Sequence, residues 1–525
     1  MAVATQTLEQ NAMNRFVERF TSSIVSVLAC HDRVIFHGHL PFGGDKHLNG
    51  FVDYGLRIKR KDFLPFVEPL SESLVEHART LAKNANAPYE HFETKPDKDK
   101  LVHRLLKEKP HSDGLVAVLC CKELCRSVKL LGGVGRPRLA FRQRPQRVLY
   151  FYFLDPDFGL MHVRVQTMFP FTCQIYVNGH EWLARQMQKQ CLGFVQVENA
   201  FLQLDDPVRA QQLADQFCKL DWVGILNRFV QPVNLLLQQP WLEQRAYRWV
   251  INQAEFSTDL CFTSREALAG LYRLLLEHAL LNFSAEDILG YLGRRLHPRF
   301  DGEVLTDLKK GRHPGARIKH RVKNNWLKMY DKFGLILRIE TVINQPREFK
   351  VRRRRQRHGH RRMVWCPMNK GVANFYHYQA VARASNARYL DALATVAVST
   401  ATAQQLDRLH RPARFRSRRR RPLNVLSAAE QRLFFAVLQG DHRLNGFRNA
   451  DVARHLYAKP AASLRERRRR TARVSRQLQL LRAHGLIAPV PHSYRYHITR
   501  RGEDLMNAAI YVRCKTFPKE LNDVA

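Results

Sequence analysis

A chain of 525 residues exceeds what one hydrophobic core organises and suggests about three domains at roughly 150 residues each. With 45% apolar and 10% aromatic residues it buries sizeable cores, which excludes disorder of the chain as a whole. Its 86 Lys and Arg against 47 acidic residues leave a formal charge of +39, far more than solubility requires, so nucleic acid is the default partner.

An anionic membrane surface competes for such charge. The sequence contains neither a basic amphipathic helix with a clean apolar face nor an apolar run near the ~18 residues of a membrane span. Val27-Leu-Ala-Cys30 has the outline of a lipoprotein cleavage box, but Glu9 and Glu18 stand where a positive segment belongs. The ten cysteines are scattered, and Cys120, Cys121 and Cys125 lack Cys or His partners at zinc spacing. A reduced, cytoplasmic setting without a membrane partner is the expectation.

In chain order, an amphipathic helix is predicted from about Met13 to Leu28, then a strand over Arg33 to Phe36 that runs into His37-Gly-His39. The histidines are either a strand end or a metal pair of the rolling-circle nuclease type, in which the residue between them is hydrophobic rather than glycine. Helices follow at Leu70 to Ala82 and Asp99 to Lys107. Gly114 to Cys120 reads as a buried strand. The glycine-rich loop from Leu131 lacks the Gly-Lys-Ser/Thr ending of a phosphate-binding loop. Arg147 to Leu154 is an aromatic strand, Asp155-Pro-Asp157-Phe-Gly159 a turn, and Met161 to Met168 alternates with His162, Arg164 and Gln166 on one face. Cys173 to Val177 completes an antiparallel sheet. Its polar row and the two aspartates are candidates for lining a phosphodiester or a metal, against the plain reading of a solvated face and a turn.

From Pro207 to Pro298 the periodicity is helical, with the roles of Gln253, Glu255 and Asp259 open. A dense cationic stretch follows. It leads into Trp326 to Ile343, a β-hairpin turning at Asp331 to Gly334, with Lys328 and Tyr330 on one face and Arg338 and Glu340 on one face of the return strand. The sequence Tyr330-Asp-Lys332 followed by Leu337-Arg-Ile-Glu340 is similar to a hairpin of replication initiators of filamentous phages and rolling-circle plasmids. That resemblance implies a divalent cation held by a histidine pair and a separate tyrosine nucleophile. Tyr330 lies on a strand and receives no such role, and Tyr376 and Tyr378 on a helix are alternatives. The runs Arg352 to Arg355, Arg361, Arg362 and Arg414 to Arg421 must be solvated or neutralised by polyanion. A second His-Gly-His, His358 to His360, stands among them, and Asn386 to Val398 is a helix.

Ser427 to Leu505 has the most legible pattern. Ser427 and Glu430 have capping-box spacing, Gly440 stops a first helix, Asn445-Gly446 turns, and Asn449 caps a second. In the basic third helix, Val474, Leu478 and Leu481 recur on one side, leaving Arg473, Arg476 and Gln477 outside. Gly485 ends it, and a short hairpin and last helix follow. On Leu481-Arg-Ala-His-Gly-Leu-Ile487 and Tyr496-His-Ile-Thr499-Arg-Arg-Gly502, this stretch resembles the winged-helix regulators of the MarR kind, over less than a fifth of the chain. The resemblance implies duplex-DNA binding, with the third helix in a major groove.

The expected architecture is α+β, with a C-terminal winged helix-turn-helix. Residues 1–205 form a mixed α/β domain, 206–300 a helical region, 301–410 a basic hairpin and helix region, 411–424 a basic linker and 425–525 the winged helix. Three functions stay open: a DNA-binding protein of a mobile element, phage or plasmid; a strand-cleaving or strand-joining enzyme such as a replication initiator or transposase; and an RNA-binding protein. Catalytic candidates are Asp155, Asp157, His162, Tyr330 and Glu340, with Mg²⁺ or Mn²⁺ as cofactor if the protein is a nuclease. Candidate nucleic-acid contacts are Arg468, Arg469, Arg473, Arg476, Gln477 and Arg495, together with Lys319, Arg321, Lys323, Lys328, Lys332 and Arg338. A homodimer on a two-fold site is one expected assembly. The charge predicts that log affinity for duplex DNA falls with log salt at a slope of about −0.9 per neutralised phosphate; a flat anisotropy response to salt would remove nucleic acid as the partner.

Overall fold

Apolar runs dominate the first half of the chain, and in the structure, a computed structural model, they become long strands. The structure describes residues 15–511 and 513, except 43, 94–96, 109–112, 133–136, 242–245, 295–301, 310–315, 358–359, 395, 397–405, 416–417, 440–441, 443–445, 458 and 492. The glycine-rich loop around Gly135, His358, Gly440 and Asn445 therefore lie outside the described residues. The protein is mixed α/β with a large central sheet and no described helix long and apolar enough to cross a membrane.

The strands are β1 (Ile24–His39), β2 (Tyr89–Phe92), β3 (Gly114–Leu131), β4 (Arg138–Asp155), β5 (Gly159–Gln166), β6 (Cys173–Asn178), β7 (Phe194–Val197), β8 (Ala200–Leu204) and β9 (Arg248–Phe262). They continue as β10 (Val304–Lys309), β11 (Arg317–Val322), β12 (Asn325–Lys332), β13 (Ile336–Ile343), β14 (Lys350–Arg357), β15 (His360–Pro367), β16 (Ala413–Phe415), β17 (Arg418–Arg420), β18 (Ile487–Pro489) and β19 (Tyr496–Ile498).

Tertiary contacts divide the chain into two units. The first comprises Ser26–Cys261 and Glu340–Ala382. Here the strand order is β9, β1, β6, β5, β4, β3, β2, and the end of β13 lies beside β9. β3 and β4 pair antiparallel from Gly114↔Leu154 to Leu131↔Arg138, and β6 pairs with β1 from Arg33↔Asn178 to Gly38↔Cys173. Helix Lys98–Glu108 lays Val102, Leu101 and Leu105 over Leu119, Cys121, Tyr150 and Tyr152, so part of the sheet face is covered by aliphatic contact. Elsewhere His31 and Phe36 pack into an aromatic layer with Phe217, Trp222 and Phe375. Gly38, between the two histidines of β1, meets Cys173 and Trp249: an added Cβ would lie 2.7 Å from the sulfur and 2.9 Å from the ring. Close packing thus requires the glycine that separates this sequence from a His-hydrophobe-His pair.

Two expectations change here. The helix predicted over Met13 to Leu28 ends near Arg19, and β1 begins at Ile24. Its apolar residues fit both periods, and sheet pairing decides in favour of the strand. Within the region read as helical, β9 is a 15-residue strand in the sheet. Both its faces are buried from Ala254 to Phe262, so it lacks the alternation that marks a half-exposed strand.

The second unit comprises Met1–Val25, Phe262–Ile339 and Arg383–Ala525. Strands β10, β11, β12 and β13 are neighbours in that order, and the cationic lead-in is thereby two strands. The β12–β13 turn falls at the predicted place. The Asp331 carboxylate accepts the Gly334 N–H at 2.9 Å, and Gly334 has φ +74, a conformation natural to glycine. His320 is buried with its ring nitrogens 2.9 Å from the Thr306 and Tyr389 hydroxyls.

Residues beyond Leu406 share one hydrophobic core, which includes Leu433, Phe434, Val452, Leu486 and Leu505. Val474, Leu478 and Leu481 enter it from helix Leu464–Ala483, as their spacing predicts. Helices Ala428–Val437 and Asn449–Leu456 precede that helix, and β18, β19 and helix Arg500–Tyr511 follow it. The Ser427 hydroxyl accepts the Glu430 N–H at 3.2 Å. Asn449 is one residue inside its helix, whose cap is Arg448, and its amide instead donates to the Thr471 carbonyl and Ser475 hydroxyl. Thr499 ties the return strand to the third helix's end: its hydroxyl donates to the Gly485 carbonyl at 2.7 Å and accepts the Gly502 N–H at 2.9 Å. A Cβ on Gly502 would strike the Leu486 carbonyl. Gly502→Ala is therefore expected to destabilise this module by about 2 kcal/mol or more, read as an earlier urea or thermal transition; an unshifted transition would refute the close approach.

Candidate metal centre

Strands β13, β9 and β1 lie side by side in the sheet, and each supplies one buried carboxylate. Asp32 is 5% exposed, Glu255 9% and Glu340 2%. Each offers an oxygen such that the three lie within 4.8 Å of one another. Among the described residues no other group of three His, Cys, Asp or Glu side chains converges in this way. Like charges at this separation in a poorly solvated place repel strongly, so cations, protons or hydrogen-bond donors must offset them.

The protein supplies several donors. Asn178 ends β6 and caps helix Gly179–Lys189: its side-chain oxygen accepts the His180 and Glu181 N–H groups, while its amide donates to Asp32 Oδ1 at 3.0 Å. Asn199, in the β7–β8 turn, donates to Asp32 Oδ2 at 2.6 Å. Gln253, two residues before Glu255 on β9, donates to Glu255 at 2.7 Å. Helix and strand approach very closely here, because Gly179 rests against the His31 carbonyl where a Cβ would clash. Asp32 is thus oriented through both oxygens by side chains fixed at element ends.

His180 and Arg33 also contribute to the electrostatics. The buried His180 ring lies between two carboxylates, Nδ1 3.6 Å from Asp32 and Nε2 3.8 Å from Asp259. Burial opposes its charge, but Cys30, Asp259 and Asp32 outweigh it and raise its pKa well above the ordinary histidine value. Arg33, which reaches solvent, is likewise held charged: burial of part of the group works against it, and Glu255, Tyr176 and Asp32 raise its pKa.

Three carboxylates form the donor set of a hard divalent cation, which takes oxygen ligands, rather than of zinc or copper, which favour nitrogen and sulfur. For Mg²⁺ at about 2.1 Å, opposite ligand oxygens are about 4.2 Å apart. The observed limit of 4.8 Å is close enough for one ion to be bound with small side-chain adjustments. Hydrogen bonds from Asn178 and Asn199 to a ligating carboxylate are the outer support such sites need. The residues fit Mg²⁺ or Mn²⁺.

Five residues further along β1, roughly 16 Å at the strand rise, His37 and His39 line a cavity of about 520 Å³. Their ring centroids are 4.0 Å apart. Arg126, Arg164, Arg248, Gln143, Gln166 and Gln174 also line it, and among the described residues no carboxylate does. Burial, the His39 ring and the charges of Arg164 and Lys370 lower the His37 pKa to about 3, so this imidazole is neutral at ordinary pH. Its Nε2 is buried with no hydrogen-bond partner among the described residues. The surrounding cations disfavour a metal at this histidine pair and favour an anion. Arg164 is fixed beneath the cavity by Glu123, with nitrogens at 3.0 and 3.1 Å, and Lys98 and Tyr150 reach the other Glu123 oxygen at 2.9 and 2.8 Å.

The catalytic candidates named from sequence are dispersed. Asp155 builds its turn, accepting the Asp157 and Phe158 N–H groups at 2.8 and 3.0 Å, and Asp157 pairs with Lys189. His162 is enclosed by the Tyr150, Tyr152 and Tyr176 rings, and burial lowers its pKa to about 3. Tyr330 is buried in β12 of the other unit. Glu340 alone joins the carboxylate cluster, with Asp32 and Glu255, which are absent from the sequence-derived candidates. The available signal was a carboxylate inside each of three apolar runs; their pairing was not written locally.

The basic candidates also separate. Arg468, Arg469, Arg473 and Arg476 are exposed on helix Leu464–Ala483, Gln477 is half-buried, and Arg495 is half-buried with a guanidinium N–H donating to the Gly446 carbonyl at 3.0 Å. Arg321 is exposed and Lys319, Lys323 and Lys328 are half-buried; Lys319 stacks its ammonium 3.7 Å from the Trp326 ring centroid. Lys332 and Arg338 are only 5% and 0% exposed, which removes them from any solvent-facing cationic row, because the sheet is covered at these positions. Comparison with protein-family models, curated proteins and solved structures finds no match for this chain.

Glu123 carries a clear pH dependence. Burial opposes its charge, but Lys98, Arg164 and Tyr150 outweigh it and lower its pKa to about 2. Its contribution is full above the unfolded value of about 4.3 and is lost as pH falls through about 2. Glu123→Gln should cost about 2–3 kcal/mol at neutral pH and shrink the difference from wild type between about pH 4 and 2; a pH-independent difference in denaturation midpoint would contradict this assignment.

Proposed function

We propose that this protein cleaves or joins phosphodiester bonds in DNA, using a divalent cation held by Asp32, Glu255 and Glu340, and that residues 427–505 act as a winged helix-turn-helix that addresses the body to duplex. One observation carries the reading: three buried carboxylates converge from adjacent strands in a chain of net charge +39. A strongly cationic protein attracts polyanions, and oxygen-bound divalent cations are the usual means of stabilising charge on a transferring phosphate.

When bound, Mg²⁺ or Mn²⁺ would polarise a phosphoryl oxygen and lower the pKa of a coordinated water. Asp32, Glu255 and Glu340 would supply its ligands. Asn178 and Asn199 keep Asp32 in one orientation, and the His180 imidazolium limits repulsion between Asp32 and Asp259. Arg33, exposed beside Glu255 and Asp32, is placed to attract the substrate's phosphate. No covalent role is assigned to Tyr330.

The C-terminal part of the reading rests on three helices followed by a short strand pair and a final helix, with exposed Arg468, Arg469, Arg473 and Arg476 on the third helix. Such a helix would place its arginines against phosphates and base edges of a major groove. A site-reading module joined to a strand-processing body suits a replication initiator or transposase-like protein of a mobile element.

Incubation of the full chain with single- and double-stranded DNA and Mg²⁺ or Mn²⁺ should yield cleaved or joined strands. Asp32→Asn and Glu255→Gln should each lower the rate about 100-fold or more while leaving DNA affinity nearly unchanged. Absence of product on every substrate, or full activity in both variants, would overturn the catalytic reading.

A further inference from the structure

Trp365 leaves 67% of its surface in solvent, and Met363, two residues before it, 49%. Both stand on β15 of the β14–β15 hairpin, the segment whose arginine run seemed unable to pack. The hairpin's register is regular: Lys350 faces Pro367, Arg352 faces Trp365 and Arg354 faces Met363. Directly opposed residues share a face of a two-stranded ribbon. That face therefore carries Lys350, Arg352 and Arg354, all exposed, beside Trp365 and Met363. Val351 and Cys366, opposed on the other face, are 5% and 4% exposed, and this buried pair anchors the ribbon.

We propose that this ribbon face binds unpaired nucleic-acid strand, with a base stacked on Trp365 and flanking phosphates on Arg352, Arg354 and Lys350. A solitary exposed apolar residue needs no explanation, but an indole flanked by cations at every second position does. Aromatic faces accept any base, and arginines neutralise the backbone, which is the usual composition of a single-strand site.

Spacing supports the same partner. Residues two apart on a strand are about 6.6 Å apart. Arg352 and Arg354 can therefore meet neighbouring phosphates of one strand while a base lies on Trp365 beside them. In a paired duplex both faces of each base are already stacked on neighbours, so a base becomes available to Trp365 only where the strand is opened. An anionic membrane is the competing surface for a Trp–Arg face, but two apolar side chains give it little area to insert.

The inference rests on nucleic acid being the partner, and its test separates the two claims. Anisotropy titrations of the full chain would use a fluorescent oligo-dT, a duplex of equal length and vesicles containing phosphatidylserine. Trp365→Ala is expected to weaken oligo-dT binding about 5- to 100-fold with little change for duplex, Trp365→Phe to retain most of it, and Arg352→Ala to reduce the magnitude of the single-strand salt slope by about 0.7. Unchanged melting of the variants controls for folding. If the wild type binds DNA but Trp365→Ala binds oligo-dT equally well, or weakens both DNAs alike, the ribbon proposal falls and the DNA reading stands. Loss of vesicle binding alone overturns it in favour of a membrane, and no binding of either DNA by wild type removes both claims.

Discussion

Electrostatic repulsion among Asp32, Glu255 and Glu340 is the constraint on which the first unit depends. Three carboxylates buried on neighbouring strands would, left uncompensated, shift to their neutral forms or open the sheet. The fold answers with amide donors at two element ends, an imidazolium between Asp32 and Asp259, and the guanidinium of Arg33. These partners converge because β6 runs directly into helix Gly179–Lys189, and because Gly179 lets that helix rest on β1. The backbone geometry and the charge arrangement are therefore one design: enlarging Gly179 would move the groups that hold Asp32.

Around that centre the sheet separates its chemistry by layer. His31 and Phe36 join a dense aromatic cluster with Phe217, Trp222 and Phe375, where dispersion and apolar burial supply stability. His37, His39, Arg164 and Gln166 line a cavity that, among the described residues, has cationic and neutral groups only. The unit consequently offers a place suited to a cation and another suited to an anion on the same strand, β1. The proposed phosphodiester chemistry would draw on both, with acidic groups for a divalent cation and basic groups for a polyanionic backbone.

The basic surface is also differentiated. Arginines exposed on helix Leu464–Ala483 stand over a packed core, whereas Arg352 and Arg354 of the β14–β15 ribbon lie opposite Trp365 and Met363. A helix suits a groove and a ribbon with an exposed indole suits an opened strand. Net charge alone does not distinguish these two surfaces. Lys332 and Arg338 show the converse, being cationic by composition yet enclosed by the sheet.

The sequence by itself determined the elements whose signals are local. The Ser427 cap, the Val474, Leu478 and Leu481 stripe, the Gly485 stop and the Asp331–Gly334 turn depend on residues within a few positions of one another, and each appears where its chemistry places it. The sequence also placed Glu340 among candidate residues. Only the tertiary structure decided that β9 is a strand, because burial on both faces removes the alternation that betrays one. It alone joined Asp32 and Glu255 to Glu340, residues separated by more than 80 positions at the nearest, since strand adjacency is fixed by packing of distant segments rather than by local pattern. It also assigned Asp155 to turn-building and His162 to an aromatic enclosure, for the same reason: a side chain's chemistry is set by its neighbours in space, and a strand brings its neighbours from elsewhere in the chain.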